Sequence, residues 1–552
     1  MKQTLTITNF GGRLTRVVNG DLNSGFSKFD TSFGYDPFSK PGNLTWLEQP
    51  SSIAGITGVL TGAATRFEGT TTLVYAVSDT GNAYRIQPNN ITSPNLDSIL
   101  GVGSVTANSN TYKYGASIEF FGNPERMYVG GDKGINSLPM TSVVTGAFAG
   151  DAFLGTTGNY VANVARPLKP FAGELIFGNG PTIGAIGATN TVTSSVIGVP
   201  VGGSGSNQNI YSEINPPLPA GTFVHDMDVS PEYNYLMMTT SNAASEDLTT
   251  ISSDRPVAAA TTGDVFKWNG TDVATTAGTA VPSQSLTALQ TYFQNAALFA
   301  NDPFGLSVGD ETQKSMMLPN NKSPVANATG VNGNFIFWAA PEVSADGTAM
   351  YGSMYYFGQL DRETPAGLFR VLRYTTPLSA GFVYQVPVNL LVNNKYRTVN
   401  NALTAITSLG WGKHYLSTID INPSTTTYRW MRFLITPSGT GTPQLGVYET
   451  QSQLFSKRVH IDQIRVYTEP TVAGNGFQVD IIGVDGTVLT NGTFNYTFAA
   501  GSDEYSMLGA LQRINFNPTA DAGYGFGIRV TNTGTTNMTI KKIEVDWSQE
   551  GK

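Results

Sequence analysis

The sequence predicts an all-β chain. It reads as an irregular six- or seven-bladed β-propeller over residues 51–455, followed by a jelly-roll-like C-terminal β-sandwich over 456–552. Three observations carry this reading. Short apolar runs recur with Gly/Asp/Asn turns between them, as in Leu73 to Ile86, LVYAVSDTGNAYRI. Thr, Val, Tyr and Phe are abundant, whereas Glu, Lys and Leu at helical spacing are scarce. From about Phe455 the strands lengthen and alternate regularly, which marks a change of architecture.

At 552 residues the chain suits roughly two to four domains. Residues 1–50 begin with alternation, Leu5, Ile7 and Phe10 against Thr4, Thr6 and Thr8, and so predict a strand. Gly11-Gly12 breaks it. The segment Phe33 to Trp46, FGYDPFSKPGNLTW, reads as an ordered loop pinned by its rings. Together these residues are expected to close or brace the propeller.

The opening hairpin has looser echoes downstream. They are Glu125–Met140, Gly173–Ile186, Tyr233–Asn242 completed by Gly263–Gly270, Ala296–Val308, Asn334–Phe357 and, more weakly, Ala402–Ile421. Their spacing of roughly 40 to 70 residues fits four-stranded blades with insertions. A set of separate β-sandwiches is the competing arrangement. Two insertions stand out: 185–223 is depleted in charge and rich in Gly, Thr, Ser, Val and Pro, and 243–262 is rich in Ala, Thr and Ser, which suits surface loops or contact segments. In the last hundred residues, Val459–Pro470, Gly476–Gly486, Phe494–Gly501, Gly523–Gly534 and Met538–Ser548 read as sandwich strands. Ile540, Ile543, Val545 and Trp547 supply much of an inward face.

Composition narrows function. Charged residues make up 13% of the chain, with a net charge of −8. A mildly acidic surface is a poor grip for nucleic acid. No cysteine is present, so neither a disulfide framework nor a thiolate metal site can form. The start has no apolar signal-peptide core, and no run of about 18 apolar residues predicts a membrane span.

Few residues suggest chemistry. His225, His414 and His460 lie in no zinc motif and read as structural. Asp226 and Asp228, with Glu232 nearby, place alternate carboxylates on one strand face, the weak outline of a calcium site lacking a loop glycine. GGSGSN at Gly202–Asn207 only superficially resembles a nucleophile elbow, because Ser206 stands where a glycine is needed. The pairs Asp361/Glu363 and Asp503/Glu504 are what any chain with 40 carboxylates offers a glycosidase reading. Phe335, Phe337, Trp338, Tyr355, Tyr356 and Phe357 read first as core and second as sugar-stacking rings. No catalytic, cofactor-binding or metal residue is assigned.

The opening NFGGRLTR, the loop ending Gly42-Asn43-Leu44 and the LVYAVSDTGNAYRI hairpin together resemble bacteriophage tail proteins of the nozzle, or tail tubular protein B, family. The motifs cover the first 140 residues. The separate C-terminal sandwich departs from that pattern. The resemblance implies a non-enzymatic, homo-oligomeric virion subunit, made in the host cytoplasm and placed in the tail beside other tail or portal-adaptor proteins. It would pass DNA along an acidic lining without sequence-specific binding. Two alternatives follow: a tail protein that binds a host-surface glycan or receptor through its sandwich, and a polysaccharide-degrading tail enzyme.

Overall fold

The computed structural model describes, with short internal gaps, residues 2–10, 29–46, 51–140, 151–187, 218–244, 263–317, 337–388, 401–434 and 446–549; of the strands between 285 and 434 it describes the backbone. Every regular element among the described residues is a β-strand. Five short strands come first: β1 (Lys2–Ile7), β2 (Phe29–Phe33), β3 (Tyr35–Asp36), β4 (Leu44–Trp46) and β5 (Ser51–Ser52).

Seven antiparallel sheets follow in chain order. The first holds β6 (Leu60–Glu68), β7 (Thr71–Ser78), β8 (Asn82–Gln87) and β9 (Ser98–Ser104). The second holds β10 (Ser117–Phe121), β11 (Arg126–Gly131), β12 (Gly134–Pro139) and β13 (Asp151–Phe153). The third shows β14 (Leu168–Phe171), β15 (Glu174–Asn179) and β16 (Thr182–Gly187). The fourth has β17 (Phe223–Val229), β18 (Leu236–Ser241), β19 (Gly263–Trp268) and β20 (Thr275–Thr276). The fifth has β21 (Ser285–Tyr292), β22 (Ala296–Asp302), β23 (Gly305–Asp310) and β24 (Met316–Met317). The sixth has β25 (Phe337–Val343), β26 (Met350–Gly358), β27 (Gly367–Arg373) and β28 (Val383–Val388). The seventh has β29 (Asn401–Gly410), β30 (Lys413–Asn422) and β31 (Thr425–Leu434), and its fourth strand is β5.

The first strand of each sheet packs against the first strand of the next. The series β6, β10, β14, β17, β21, β25 and β29 returns to β6. The seven sheets are therefore blades of a closed β-propeller, with these strands around its axis. Closure uses both ends of the blade series: Ser51 and Ser52 pair with Arg432 and Met431.

The opening hairpin shows why the blades form. LVYAV is apolar without alternation because β7 is covered on both faces. Leu73, Tyr75 and Val77 pack with Ile118, Met127 and Val129 of the second blade, while Val74 and Ala76 pack with Tyr84 and Ile86 on the opposite face. Burying each such side chain contributes about 1.5–3 kcal/mol. Gly81, at φ 82°, makes the turn without a Cβ penalty.

The hairpin is the middle pair of its blade, with an inner strand before it and an outer strand after it. The echoes at 125–140, 173–186, 233–270 and 296–308 hold the same middle position. Those at 334–357 and 402–421 are the first and second strands of their blades, one strand out of step. Apolar strands flanking a turn look alike at either position, so the pattern alone does not fix the phase.

The remaining strands are β32 (Val447–Thr450), β33 (Gln453–Leu454), β34 (Val459–Thr468), β35 (Gly476–Gly483), β36 (Val488–Thr497), β37 (Gln512–Phe516), β38 (Ala520–Asp521), β39 (Gly525–Asn532) and β40 (Thr539–Gln549). They form two sheets, and residues 1–50 belong to both. In one, β1 and β4 pair with β40, β3 with β4, and β34 lies between β40 and β37. In the other the order is β2-β32-β39-β35-β36. Strands β1 to β4 thus complete the sandwich, and β2 and β3 also lie against β28 of the sixth blade.

One core joins the two sheets. Ile7, Phe10, Leu44 and Trp46 pack with Ile540, Ile543, Val545 and Trp547 and with Val479, Ile528 and Val530. Ile540 and Ile543 reach the same face although three residues apart. A register shift between Tyr467 and Thr468, which stand opposite Lys542 and Ile540, takes up the odd residue.

Candidate functional site

Charged side chains meet where the inner strands of successive blades adjoin. Glu119 on β10 stands opposite Tyr128 of β11, and Lys169 on β14 stands opposite Ile176 of β15. Both strands hold their charged residue at the same position relative to the hairpin turn. On β17 the bulge between Val224 and Asp226 resets the register, and Asp226 and Asp228 flank the matching position, Met227. The three strands bring together one cation and three carboxylates from blades two, three and four.

Lys169 Nζ lies 2.9 Å from Asp228 Oδ1 and 3.8 Å from Glu119 Oε1. Only the first distance is a hydrogen bond; the second is an ion pair. The Asp228 side chain is buried, whereas Lys169 and Glu119 keep 29% and 27% of their side-chain surface exposed. Burial opposes the Lys169 charge, but Asp228, Glu119 and Asp226 outweigh it and raise its pKa. Glu119 behaves in the opposite way. Burial pushes its carboxyl up, Lys169 pulls it down, Asp228 pushes it up again, and it comes to about 7. The burial has a visible source: Glu119 shares its sheet face with Tyr128 and Phe121, which pack with Leu168, Leu175 and Phe177 of the third blade.

A second network joins blades one and two. Arg66 Nη1 donates to Glu68 at 2.6 Å, and its Nη2 pairs with Glu125. The Tyr75 hydroxyl donates to Glu68, and Arg85 donates to both Tyr75 (3.2 Å) and Glu68 (2.8 Å). The Arg66 guanidinium lies over the Phe120 ring. Burial and the Glu68 carboxylate push the Tyr75 hydroxyl up to about 12. These groups satisfy one another and form a rigid, closed network.

A third feature recurs in the first three blades and ties each of them to the segment before it. Asp79 Oδ1 accepts from Val59 N (3.1 Å), Asp132 Oδ1 from Thr111 N (2.7 Å), and Asn179 Oδ1 from Val161 N (2.9 Å). Asp79 and Asp132 also return backbone N–H bonds to Val59 and Thr111. The turn aspartate of the opening hairpin is thus a clamp used again in the next two blades.

The residues singled out from the sequence fall as follows. His225 is buried, and its Nε2 lies 2.6 Å from Ser241 Oγ, which donates to the Ala243 carbonyl at 2.9 Å. Burial lowers its pKa to about 4, although a backbone hydrogen bond to Ala243 works the other way. The pair resembles a serine–histidine dyad in composition only, because Ser241 is itself buried and cannot meet a substrate. Asp226 and Asp228 answer to Lys169. Among the described residues, no group of three or more His, Asp or Glu could hold a metal ion. His460 stands on β34 opposite Asp521. His414 lies on β30, Phe337 and Trp338 on β25, and Tyr355, Tyr356 and Phe357 on β26, where the backbone places Trp338 opposite Tyr355. Gly202–Asn207, Glu232, Phe335, Asp361/Glu363 and Asp503/Glu504 lie outside the described residues, as do most of 185–223 and 243–262.

Sequence reasoning missed Arg66, Glu119 and Lys169. Each lies on the strand just upstream of a recognised hairpin. Reading one strand further back in each copy reveals a charge on the inner strand of all four leading blades.

The sequence matches no family model and no curated relative. Among solved structures it is similar to Raptor of Chaetomium thermophilum (11% identity, TM-score 0.39), over 71% of this chain and 29% of that one. It is also similar to virginiamycin B lyase from Staphylococcus aureus (9%, TM-score 0.38; 70% of this chain, 99% of that). A third is Sqt1 of Saccharomyces cerevisiae (10%, TM-score 0.37; 73% and 97%). This chain spans under a third of the Raptor chain. Likenesses this remote carry no argument about activity.

Proposed function

We propose that this chain is a structural subunit of a bacteriophage tail, of the nozzle type, which assembles with copies of itself into a ring around the DNA exit path. One observation supports the reading above the others. The two units are woven together, because the segment before the propeller supplies four strands to the sandwich and one to the seventh blade. A chain tied in this way suits a part that keeps its shape while a neighbour pushes on it. The net charge of −8 fits a lumen that DNA slides past rather than grips. Portal-adaptor and other tail proteins are the partners the reading assigns. Electron microscopy of the purified chain tests it: rings with a central lumen are expected, and a strictly monomeric protein absent from particles overturns it.

A second reading has its own support. Tyr524 is 60% exposed on the tight turn between β38 and β39, where its ring could stack on a sugar face. Binding of the whole chain to a host-surface glycan, lost in Tyr524→Ala, would favour a receptor-binding tail protein.

A further inference from the structure

We propose that Glu119, Lys169 and Asp228 form a proton-responsive junction between the second, third and fourth blades, in which Glu119 is the group that takes up the proton. The proposal is independent of the tail reading. It starts from geometry. One ammonium group is asked to serve two carboxylates on either side of its blade, and it serves them unequally. Asp228 receives the hydrogen bond at 2.9 Å, while Glu119 is left at 3.8 Å.

Other charged groups near Glu119 are engaged elsewhere. β10 packs against β6, β11 and β14. On β6, Arg66 is bound to Glu68 and Glu125, and Glu68 also to Arg85 and Tyr75. On β11, Arg126 donates twice to Ser137, and Tyr128 is the apolar-packed neighbour opposite Glu119. On β14, Lys169 is the one cation, and beyond it β17 adds the negative charges of Asp226 and Asp228. With Asp226 counted, an ionised Glu119 therefore takes the group from a net charge of −1 to −2, beside the apolar packing of Phe121, Tyr128, Leu168 and Phe177. Desolvation and Asp228 outweigh the half-share of Lys169, so the carboxyl holds its proton up to about 7.

The sign follows from proton linkage. A carboxyl raised in the folded state binds more protons there than in the unfolded chain between about 4.5 and 7, so stability falls as pH rises across that window and levels off above it. Loss of the proton loosens the contact between blades two and three. His225 acts in the opposite direction over part of the same range, since its depressed pKa makes stability rise with pH. The junction is therefore read from the difference between the wild type and Glu119→Gln, which keeps the shape and cannot ionise.

Two measurements on the full chain test it. Thermal unfolding from pH 5 to pH 8 is expected to show the wild type losing a few °C, on the order of 2–4 °C, relative to Glu119→Gln. Parallel profiles overturn the proposal. Carboxyl carbon NMR of side-chain-labelled protein, with the Glu119 signal assigned by its absence in Glu119→Gln, is expected to show a midpoint near 7. A midpoint in the ordinary carboxylate range, near 4–5, overturns it even if the variant folds poorly.

Discussion

Leu5 stands opposite Val545, in an antiparallel register that runs from Lys2 facing Ser548 to Ile7 facing Ile543. The sandwich thus depends on a strand laid down more than five hundred residues before its partner. Ile7 is buried in the shared core, beside Phe10 and Trp46. Ile7→Ala is expected to cost about 2–4 kcal/mol, since a buried β-branched side chain leaves both lost transfer energy and a cavity. Chemical unfolding followed by tryptophan fluorescence measures it. A loss under about 0.5 kcal/mol would mean that β1 contributes little to the sandwich.

On the outer face of the same sheet, Arg465 forks onto Asp546 (2.9 and 2.8 Å) and donates through Nε to Glu544 at 2.8 Å. Burial opposes both carboxylate charges. Thr4 and Arg465 outweigh it at Asp546, and Lys542, Arg465 and Tyr467 outweigh it at Glu544, so both pKa values are lowered. A depressed carboxyl adds stability that is complete above its unfolded pKa and is lost as pH falls through the folded one. Arg465→Met is expected to cost about 2–3 kcal/mol at neutral pH. It should cost less as pH falls and the two carboxylates take up protons; urea unfolding at several pH values checks both.

Neighbouring blades come close at two glycines. A Cβ on Gly62 would stand 2.1 Å from the Ala116 carbonyl oxygen, and one on Gly130 would stand 2.2 Å from that of Arg166. Both obstacles are backbone, just ahead of the next inner strand, and cannot swing aside. Gly62→Ala and Gly130→Ala are each expected to destabilise the propeller by about 2–3 kcal/mol. Equal melting temperatures for variant and wild type would show that the blades pack less tightly than described.

The turn clamps give a milder prediction. Asp132 accepts the Thr111 N–H at 2.7 Å from a buried position, so Asp132→Ala leaves that donor unpaired. The cost is expected to be about 1–2 kcal/mol, with Asp132→Asn recovering most of it because an acceptor oxygen remains. Equal losses in the two variants would assign the effect to charge instead.

Much of the fold was legible because its causes are local. Strands buried on both faces must be apolar throughout, so LVYAV, RMYV and ELIF announce middle strands, and Gly/Asp/Asn turns join them. The inner strands were harder. SIEFF and LKPF are short, mixed, charged and only partly buried, and neither looks like a core strand alone. The partners of β1 and β5 were illegible for another reason. Pairing across nearly the whole chain leaves no local mark, because the ladder is made by backbone groups that every sequence carries. The candidate site shared both difficulties. Glu119, Lys169 and Asp228 are separated by 50 and then 59 residues, and only the ring brings them together.

The pairing of Ser52 with Met431 also sets a timetable. As the chain leaves the ribosome, six blades can emerge and each can form its own hairpins, but the ring stays open until residue 432 is free to meet a segment made some 380 residues earlier. Meanwhile β6 of the first blade and β29 of the seventh, which pack together in the closed ring, lack each other's cover. Ring closure is therefore a late event preceded by a vulnerable interval, and a nascent-chain chaperone would act most usefully on the unclosed ring.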